Sequence, residues 1–397
     1  MNSKERLKTI LSHEEPDKVP SFELSIDNLS ICQHFSEDYV FQGLVKSFAE
    51  THELCKGNSE LLTSTILKAT ETRSYIKNTL KKHVELYKKI GIDLAIVPFT
   101  GYVLFPEICG KDYFVDEFGR IFDLKRNPND MMDIAYYKDG YFTTFEDYEA
   151  FKPPEPESER RIKYFDYMKK IEAQNEDSIS IIPSIWGIFE PVWQAFGFVN
   201  FSKLLSNQKQ IRKLFDDRGK FALELVKIFI EKGEDLGILI YDDYGYKSGL
   251  LMNPKKFKEY VLPWLKKICD FANKKGVRII LHSCGDIYPI FDDIVKTGID
   301  AIHPVEPTTA NPLYDIFQLY EKYKNEITFI GNVSPQDLAD KDPQYIEDYT
   351  QKLIKHLAPG GGFILSSGHS INPSVKLGNY LKMHETLKKY GNYPINH

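Results

Sequence analysis

From residue 179 onward the chain repeats one unit. A short apolar run rich in β-branched residues ends in polar residues or glycine, and a helical stretch follows. The runs are Ile179–Trp186, Gly237–Tyr241, Val277–Leu281, Asp300–His303, Ile327–Ile330 and Gly362–Leu365. The helical stretches are Lys203–Lys232, Pro254–Lys275, Ile287–Thr297, Pro312–Lys324, Pro343–His356 and Lys376–Tyr390. Two earlier runs, Val19–Leu24 and Ile92–Phe99, bring the strands to eight. Strands separated by helices return in the same direction, so the sheet should be parallel. Eight such units predict a (β/α)8 barrel rather than an open doubly wound sheet. No Gly-x-Gly-x-x-Gly fingerprint follows the first run, which speaks against a dinucleotide-binding fold. Residues 1–397 are expected to form one barrel domain.

Residues 101–179 break the rhythm. Lys111–Phe122 alternates around a turn, as a hairpin would. Phe145–Gln174 is polar and helical, broken at Pro153-Pro154. This stretch reads as an insertion between the second and third strands.

Composition bounds the function. A formal net charge of −6 with no concentrated basic face argues against nucleic acid. The five cysteines lack disulfide-like spacing, which points to a reducing cytoplasm. The N-terminus Met1-Asn2-Ser3-Lys4-Glu5-Arg6 has no apolar core, and no apolar run approaches membrane-spanning length, so no membrane partner is expected.

In a (β/α)8 barrel the reactive residues sit at the carboxyl ends of the strands, around one mouth. Here those ends carry Glu23, Thr100, Trp186, Asp242 with Asp243, His282 with Cys284, Glu306, and His369. His282 and Cys284 are two apart, so an extended chain points both the same way. Imidazole and thiolate together suit Zn2+. The plain alternative is a buried cysteine beside a hydrogen-bonded histidine. The third ligand would be His369, across the mouth, or Glu306, which could instead be an outer partner. His303 reads as packed against the barrel wall. Of Asp242 and Asp243, only one should face the cavity, as a general acid or base or in an ion pair with a neighbouring loop. Glu23 and the aromatics Trp186, Phe189, Trp193, Tyr244 and Tyr246 are candidates for the walls of a substrate pocket. Gly360-Gly361-Gly362 precedes a strand, so it reads as a tight turn rather than a phosphate cradle.

Several stretches carry a family resemblance. They are His282-Ser283-Cys284-Gly285-Asp286, Asp300 to Pro307, and Pro359 to Pro373 with its Gly-Gly-Gly and Ser-Ser-Gly-His. Ser3 to Pro20, Val115 to Arg120 and Asp242 to Gly245 belong with them. Together they resemble the uroporphyrinogen decarboxylase superfamily, whose fold is a distorted (β/α)8 barrel. That resemblance implies one of two chemistries. The true decarboxylases use no metal and carry an Arg-Gln-Ala-Gly-Arg segment after the first strand. Here the stretch reads Ser21-Phe22-Glu23-Leu24-Ser25-Ile26-Asp27, without arginine, so the contacts that would hold a porphyrinogen's carboxylates are missing. The other branch holds zinc-dependent methyltransferases that work with corrinoid proteins. Their His-x-Cys maps onto His282 and Cys284, and His369 stands near the position of their later cysteine. The resemblance therefore implies Zn2+ at His282, Cys284 and His369, with Asp243, Asp242 and Glu306 managing protons. It also implies a corrinoid (cobalamin) carried by a partner protein, and a small-molecule methyl donor or acceptor. A decarboxylase and a non-catalytic tetrapyrrole- or corrinoid-binding protein are the alternatives.

Overall fold

The computed structural model describes residues 1–36, 44–70, 73–101, 105–126 and 133–395. Its strands in chain order are β1 (Leu94–Pro98), β2 (Pro106–Cys109), β3 (Tyr113–Asp116), β4 (Arg120–Arg126), β5 (Asp133–Gly140) and β6 (Ser180–Trp186). They continue as β7 (Gly237–Tyr241), β8 (Gly245–Tyr246), β9 (Gly249–Leu250), β10 (Arg278–His282), β11 (Ala301–His303), β12 (Thr328–Val333) and β13 (Phe363–Ser367). Seven of them form one parallel sheet in the order β1-β6-β7-β10-β11-β12-β13. The expected first strand, Val19–Leu24, contributes only two isolated bridges. Ser21 pairs with Leu365 and Phe22 with Leu94, so this segment touches both edge strands of the sheet. Phe22 N–H donates to Leu365 O at 3.0 Å, and Leu365 N–H donates to Pro20 O at 3.0 Å. Pro20 has no N–H of its own to extend the ladder, which helps keep the segment short.

The strands divide their side chains between two cores. Ile96, Ile182, Leu239, Ile280, Ala301, Ile330 and Ile364 are buried together with Phe22. Their neighbours Val97, Ile181, Ile240, Leu281, Ile302, Phe329 and Phe363 join a larger cluster with the helices. Each parallel strand thus sends alternate residues to an inner group and an outer one, as the twofold period of an extended chain requires. Leu7, Ile10 and Leu11, from and just after the first helix, Ser3–Ile10, join the inner group.

Between β1 and β6 the alternation lapses, although these two strands are direct neighbours. The hairpin anticipated around residues 111–122 is present as β3 and β4. It is extended by β2 and β5 into a four-stranded antiparallel sheet in the order β2-β3-β4-β5. Cys109, Phe114, Phe122 and Leu124 of this sheet pack on Phe48, Cys55, Leu62 and Ile66. Those partners belong to helices Leu44–Leu54 and Ser59–Thr70 or to the turn between them. The helix expected at 203–232 spans Gln208–Glu231, capped by the Asn207 side chain, and a separate helix, Glu190–Leu204, precedes it. Among the described residues no helix is long and apolar enough to cross a membrane.

Ile280 sits at the centre of the inner group. Replacing it with alanine should leave a cavity there and lower the unfolding free energy by about 2–5 kcal/mol. Urea titration of the variant against wild type measures this.

Candidate metal centre

The same alternation that places Ile280 inward places His282 inward, and Cys284 follows in the same sense. On the neighbouring strand Leu239 and Tyr241 share a parity, which carries through to Asp243. Asp243, His282 and Cys284 each offer a ligand atom, and these atoms lie within 4.8 Å of one another. His282 Nε2 is 3.4 Å from Cys284 Sγ and 3.6 Å from Asp243 Oδ1. A tetrahedral zinc with ordinary Zn–N and Zn–S lengths has ligand-to-ligand edges of about 3.5 Å. Asp243 is further fixed because its Oδ1 accepts the Cys284 N–H at 2.7 Å.

Two glycines let the loops after β7 and β10 meet. Gly285 has φ +81°, and a Cβ there would come within 2.2–2.5 Å of the Gly245 and Tyr246 backbone. A Cβ on Gly245 would in turn sit 3.0 Å from the backbone of Gly285 and Asp286. Only hydrogen at both positions allows this approach, and it brings the carboxylate of one loop to the strand end of the other.

The tautomer of His282 follows from its surroundings. Its Nδ1 is 2.7 Å from Nδ1 of His303, and His303 Nε2 is 3.0 Å from the Ser367 carbonyl oxygen. A carbonyl only accepts, so His303 carries its proton on Nε2. Its Nδ1 is then bare and accepts the proton of His282 Nδ1. That leaves His282 Nε2 as a free lone pair facing Cys284 and Asp243, the form a metal ligand needs. Burial pushes both imidazoles well below the usual range, so the pair is neutral. The Cys284 thiol is pushed well above its ordinary value by burial and then by the charges of Asp243, Glu306 and Glu190. The Asp243 carboxyl is raised as well, mainly by burial. A neutral imidazole beside two groups whose anions lack positive charge is a donor set suited to a divalent cation, whose binding would ionise the thiol.

The other candidates fall in distinct places. Asp242 has the opposite parity and turns away from the cluster. Its carboxylate accepts N–H groups of Ile188, Phe189 and Glu190 at 2.7–3.0 Å, anchoring the start of helix Glu190–Leu204. His369 is exposed, with its ring 6.2 Å from that of His282, outside the three-atom group. Glu306 is half-buried and takes the Thr308 hydroxyl at 2.5 Å. Trp186 lies against Tyr241, with the Arg120 guanidinium 4.2 Å from its ring centre. Tyr244 is fully buried among Phe189 and Phe257 rather than at the mouth, and Tyr246 is 64% exposed on the β8–β9 hairpin. Phe189 packs on Phe201 and Phe215, and Trp193 on Tyr137 and Phe198. Glu23 is wholly buried and takes the Ser367 hydroxyl. Burial, the largest influence, lifts its carboxyl to about 8, so it is protonated in the fold at neutral pH.

Sequence reasoning missed three parts of this arrangement. His303 shares the inner parity of Ala301, and that signal would have placed it beside His282. Glu190 has no local signature; its Oε2 accepts the Asp243 N–H at 3.2 Å and its Oε1 accepts Gln194 Nε2 at 2.6 Å. Gln194 Oε1 takes Arg120 Nη1 at 3.0 Å, and Arg120 pairs with Asp116 in full burial. The Val115–Arg120 stretch thus reaches the Asp243–His282–Cys284 group through a chain of polar contacts from the antiparallel sheet. Tyr314 is the third, a buried hydroxyl with no hydrogen-bond partner among the described residues, whose titration is raised by burial and by nearby Cys284.

A curled parallel α/β sheet thus carries a thiol, an imidazole and a carboxyl group together at its carboxyl end. Residues 123–390 match the uroporphyrinogen decarboxylase (URO-D) family, and the chain belongs to it. Among curated proteins it is 24% identical over 273 residues to the methylcobamide:CoM methyltransferase MtbA of Methanosarcina acetivorans, covering 68% of this chain and 73% of that one. The Methanosarcina mazei protein of the same name is 26% identical over 213 residues, covering 53% and 59%. Uroporphyrinogen decarboxylase of Schizosaccharomyces pombe is 28% identical over 151 residues, covering 35% and 39%. The solved structure of a methyltransferase from Methanosarcina mazei shares the fold, with a TM-score of 0.61 at 17% identity over 98% of this chain and 99% of that one.

Two measurements probe the centre. His303→Phe keeps an aromatic ring but removes the acceptor for His282 Nδ1–H, so zinc affinity should fall about 10–100-fold, read by chelator competition. Glu23 holds a proton in the fold from about pH 4.5 to about pH 8 that the unfolded chain releases, so it erodes stability as pH rises through that window. Glu23→Gln should therefore gain stability over wild type at pH 8 and lose that advantage at pH 4.5, as thermal unfolding at the two pH values would show.

Proposed function

We propose that this chain is a zinc-dependent methyltransferase that moves a methyl group between a small substrate and a corrinoid carried by a partner protein. The convergence of Asp243, His282 and Cys284, with His282 Nε2 left bare, is the observation that carries this reading. Two curated relatives named as methylcobamide methyltransferases support it. The bridges of Ser21 and Phe22 to both edges of the sheet support a closed eight-stranded barrel, with residues 101–179 as an insertion.

In this reading Asp243, His282 and Cys284 would hold the zinc, and His369 stands nearby, its ring 6.2 Å from that of His282. Bound zinc would act as a Lewis acid that stabilises the heteroatom losing or gaining the methyl group. A carboxylate in place of a second thiolate makes a harder site, which favours an oxygen-linked methyl group over a thiol. His303 holds the His282 ring and its tautomer. Glu190 and the Cys284 N–H hold the Asp243 loop in register. Trp186 and Tyr241 keep water from one side, while the half-buried Glu306 and the exposed His369 exchange the substrate's proton with solvent. A docked corrinoid protein would close the remaining side.

The competing decarboxylase reading requires arginines free to hold several carboxylates. Arg120 and Arg161 are instead buried against Asp116 and Glu117. Purified wild type should carry close to one zinc per chain by elemental analysis, and Cys284→Ala should lose most of it. With a methylated or reduced corrinoid protein supplied, wild type should transfer methyl groups and the variant should not. Metal content untouched by Cys284→Ala, or decarboxylation of uroporphyrinogen III by the metal-free protein, would refute the assignment.

A further inference from the structure

The segment from Pro20 to Asp27 lies along β13 and the chain that follows it. At its start, Phe22 N–H donates to Leu365 O and Leu365 N–H donates to Pro20 O, both at 3.0 Å. At its end, Ile371 N–H donates to Ser25 O at 2.9 Å and Asp27 N–H donates to Ile371 O at 2.8 Å. Between these two pairs of backbone bonds lies a side-chain link. Glu23 Oε2 meets the Ser367 hydroxyl, and that hydroxyl meets His369 O at 2.5 Å.

A hydroxyl has one proton to give, and here it has two oxygen neighbours. His369 O is a carbonyl and only accepts, so the Ser367 proton goes there. Ser367 Oγ is then the acceptor in its contact with Glu23, and Glu23 Oε2 carries the proton. With an ionised Glu23, one of the two close oxygen–oxygen contacts would hold no proton at all.

The surroundings agree with a neutral acid. Glu23 is wholly buried. Tyr380 of helix Leu377–Tyr390 is near it, with Tyr87 and Cys32 beyond. His83 and His384, whose rings lie against Tyr87 and Tyr380, are kept neutral by burial. His303, across the Ser367 carbonyl, is neutral for the same reason. On the chain just before this segment, Lys18 pairs with Asp93. No positive charge among these groups is left to hold a carboxylate. Burial lifts the Glu23 carboxyl to about 8 against the Ser367 hydroxyl and N–H, which act the other way.

We propose that Glu23, as the neutral acid, is a positioning residue for His369: its proton leaves the Ser367 hydroxyl free to hold the His369 backbone at the mouth of the barrel. When Glu23 ionises, the Ser367 proton turns to the carboxylate and the His369 carbonyl is released. The hydrogen-bond chain stands on its own geometry, whereas its bearing on the reaction rests on the role given to His369 above.

Glu23→Gln separates the two states, because its amide N–H donates to Ser367 Oγ at every pH and cannot ionise. The infrared difference between wild type and Glu23→Gln should show the carbonyl band of a protonated carboxyl at pH 7, lost by pH 9. Amide hydrogen exchange of residues 368–371, read by mass spectrometry, should match in the two proteins at pH 7. At pH 9 it should be about tenfold faster in wild type, the effect of one lost hydrogen bond. Ser367→Ala, which removes the donor to His369 O, should exchange fast at both pH values. In methyl-transfer assays, kcat of wild type should fall relative to that of Glu23→Gln between pH 7 and pH 9. Absence of the band at pH 7, equal exchange of wild type and Glu23→Gln at pH 9, or slow exchange in Ser367→Ala would overturn the hydrogen-bond chain. Parallel pH profiles of kcat would overturn its bearing on the reaction. A wild type that transfers no methyl group would sink the methyltransferase reading instead, and the band and the exchange would still decide the state of Glu23.

Discussion

An extended chain can send only every second side chain to one face, and the centre of this protein is a consequence of that rule. Along β10 the rule aligns Ile280 with His282, so an apolar core residue and a metal-type ligand lie on one line pointing inward. Along β7 it separates two adjacent aspartates. Asp243 continues the inward line through Leu239 and Tyr241, while Asp242 turns outward and ties down the backbone of residues 188–190. Two residues with the same chemistry therefore take unrelated tasks. The inner apolar group below and the polar cluster above are one column of side chains, passing from hydrocarbon to ligand atoms as the strands reach their carboxyl ends.

Polar groups at that boundary must be satisfied within the protein, since water reaches few of them. The His282–His303–Ser367 chain does this for an imidazole, and in doing so leaves one nitrogen bare where the thiol and the carboxylate converge. The chain Asp116–Arg120–Gln194–Glu190–Asp243 does it from the other side. The antiparallel segment between β1 and β6 is thus more than a covering, because its buried arginine–aspartate pair is one end of the support for a ligand. Arg218 departs from this pattern. It holds the carbonyls of Trp186 and Gly187, lies against the rings of Phe118 and Phe221, and keeps one donor without a partner among the described residues.

Much of the fold was legible because its cause is local. Runs such as Ile279-Ile280-Leu281 and Ile181-Ile182 are apolar on both faces, as buried parallel strands must be, and helical periodicity separates them. His282 and Cys284 were legible for the same reason, being two apart on such a strand. Asp243 was legible as one of a pair, but its place beside a thiol and an imidazole was not. That place depends on the glycine contact between loops about forty residues apart, which no local pattern reports. His369 carries the chemistry expected of a ligand, yet the chain after β13 leaves it at the exposed rim. Tyr244 was expected at the mouth, but it fills the core beside Phe257.

The sequence by itself determined the repeating strand–helix order, the parallel sense of the sheet and the presence of imidazole and sulfur at the end of one strand. Those follow from periodicity and residue type within a few positions of the chain. The tertiary structure alone decided which aspartate joins them, that His303 fixes the tautomer of His282, and that an arginine on helix Gln208–Glu231 lies buried without an acid of its own. Each of these depends on where two distant segments come to rest against one another. Such contacts are set by packing and by the reach of single side chains across loops, and neither quantity is written in the local pattern of residues.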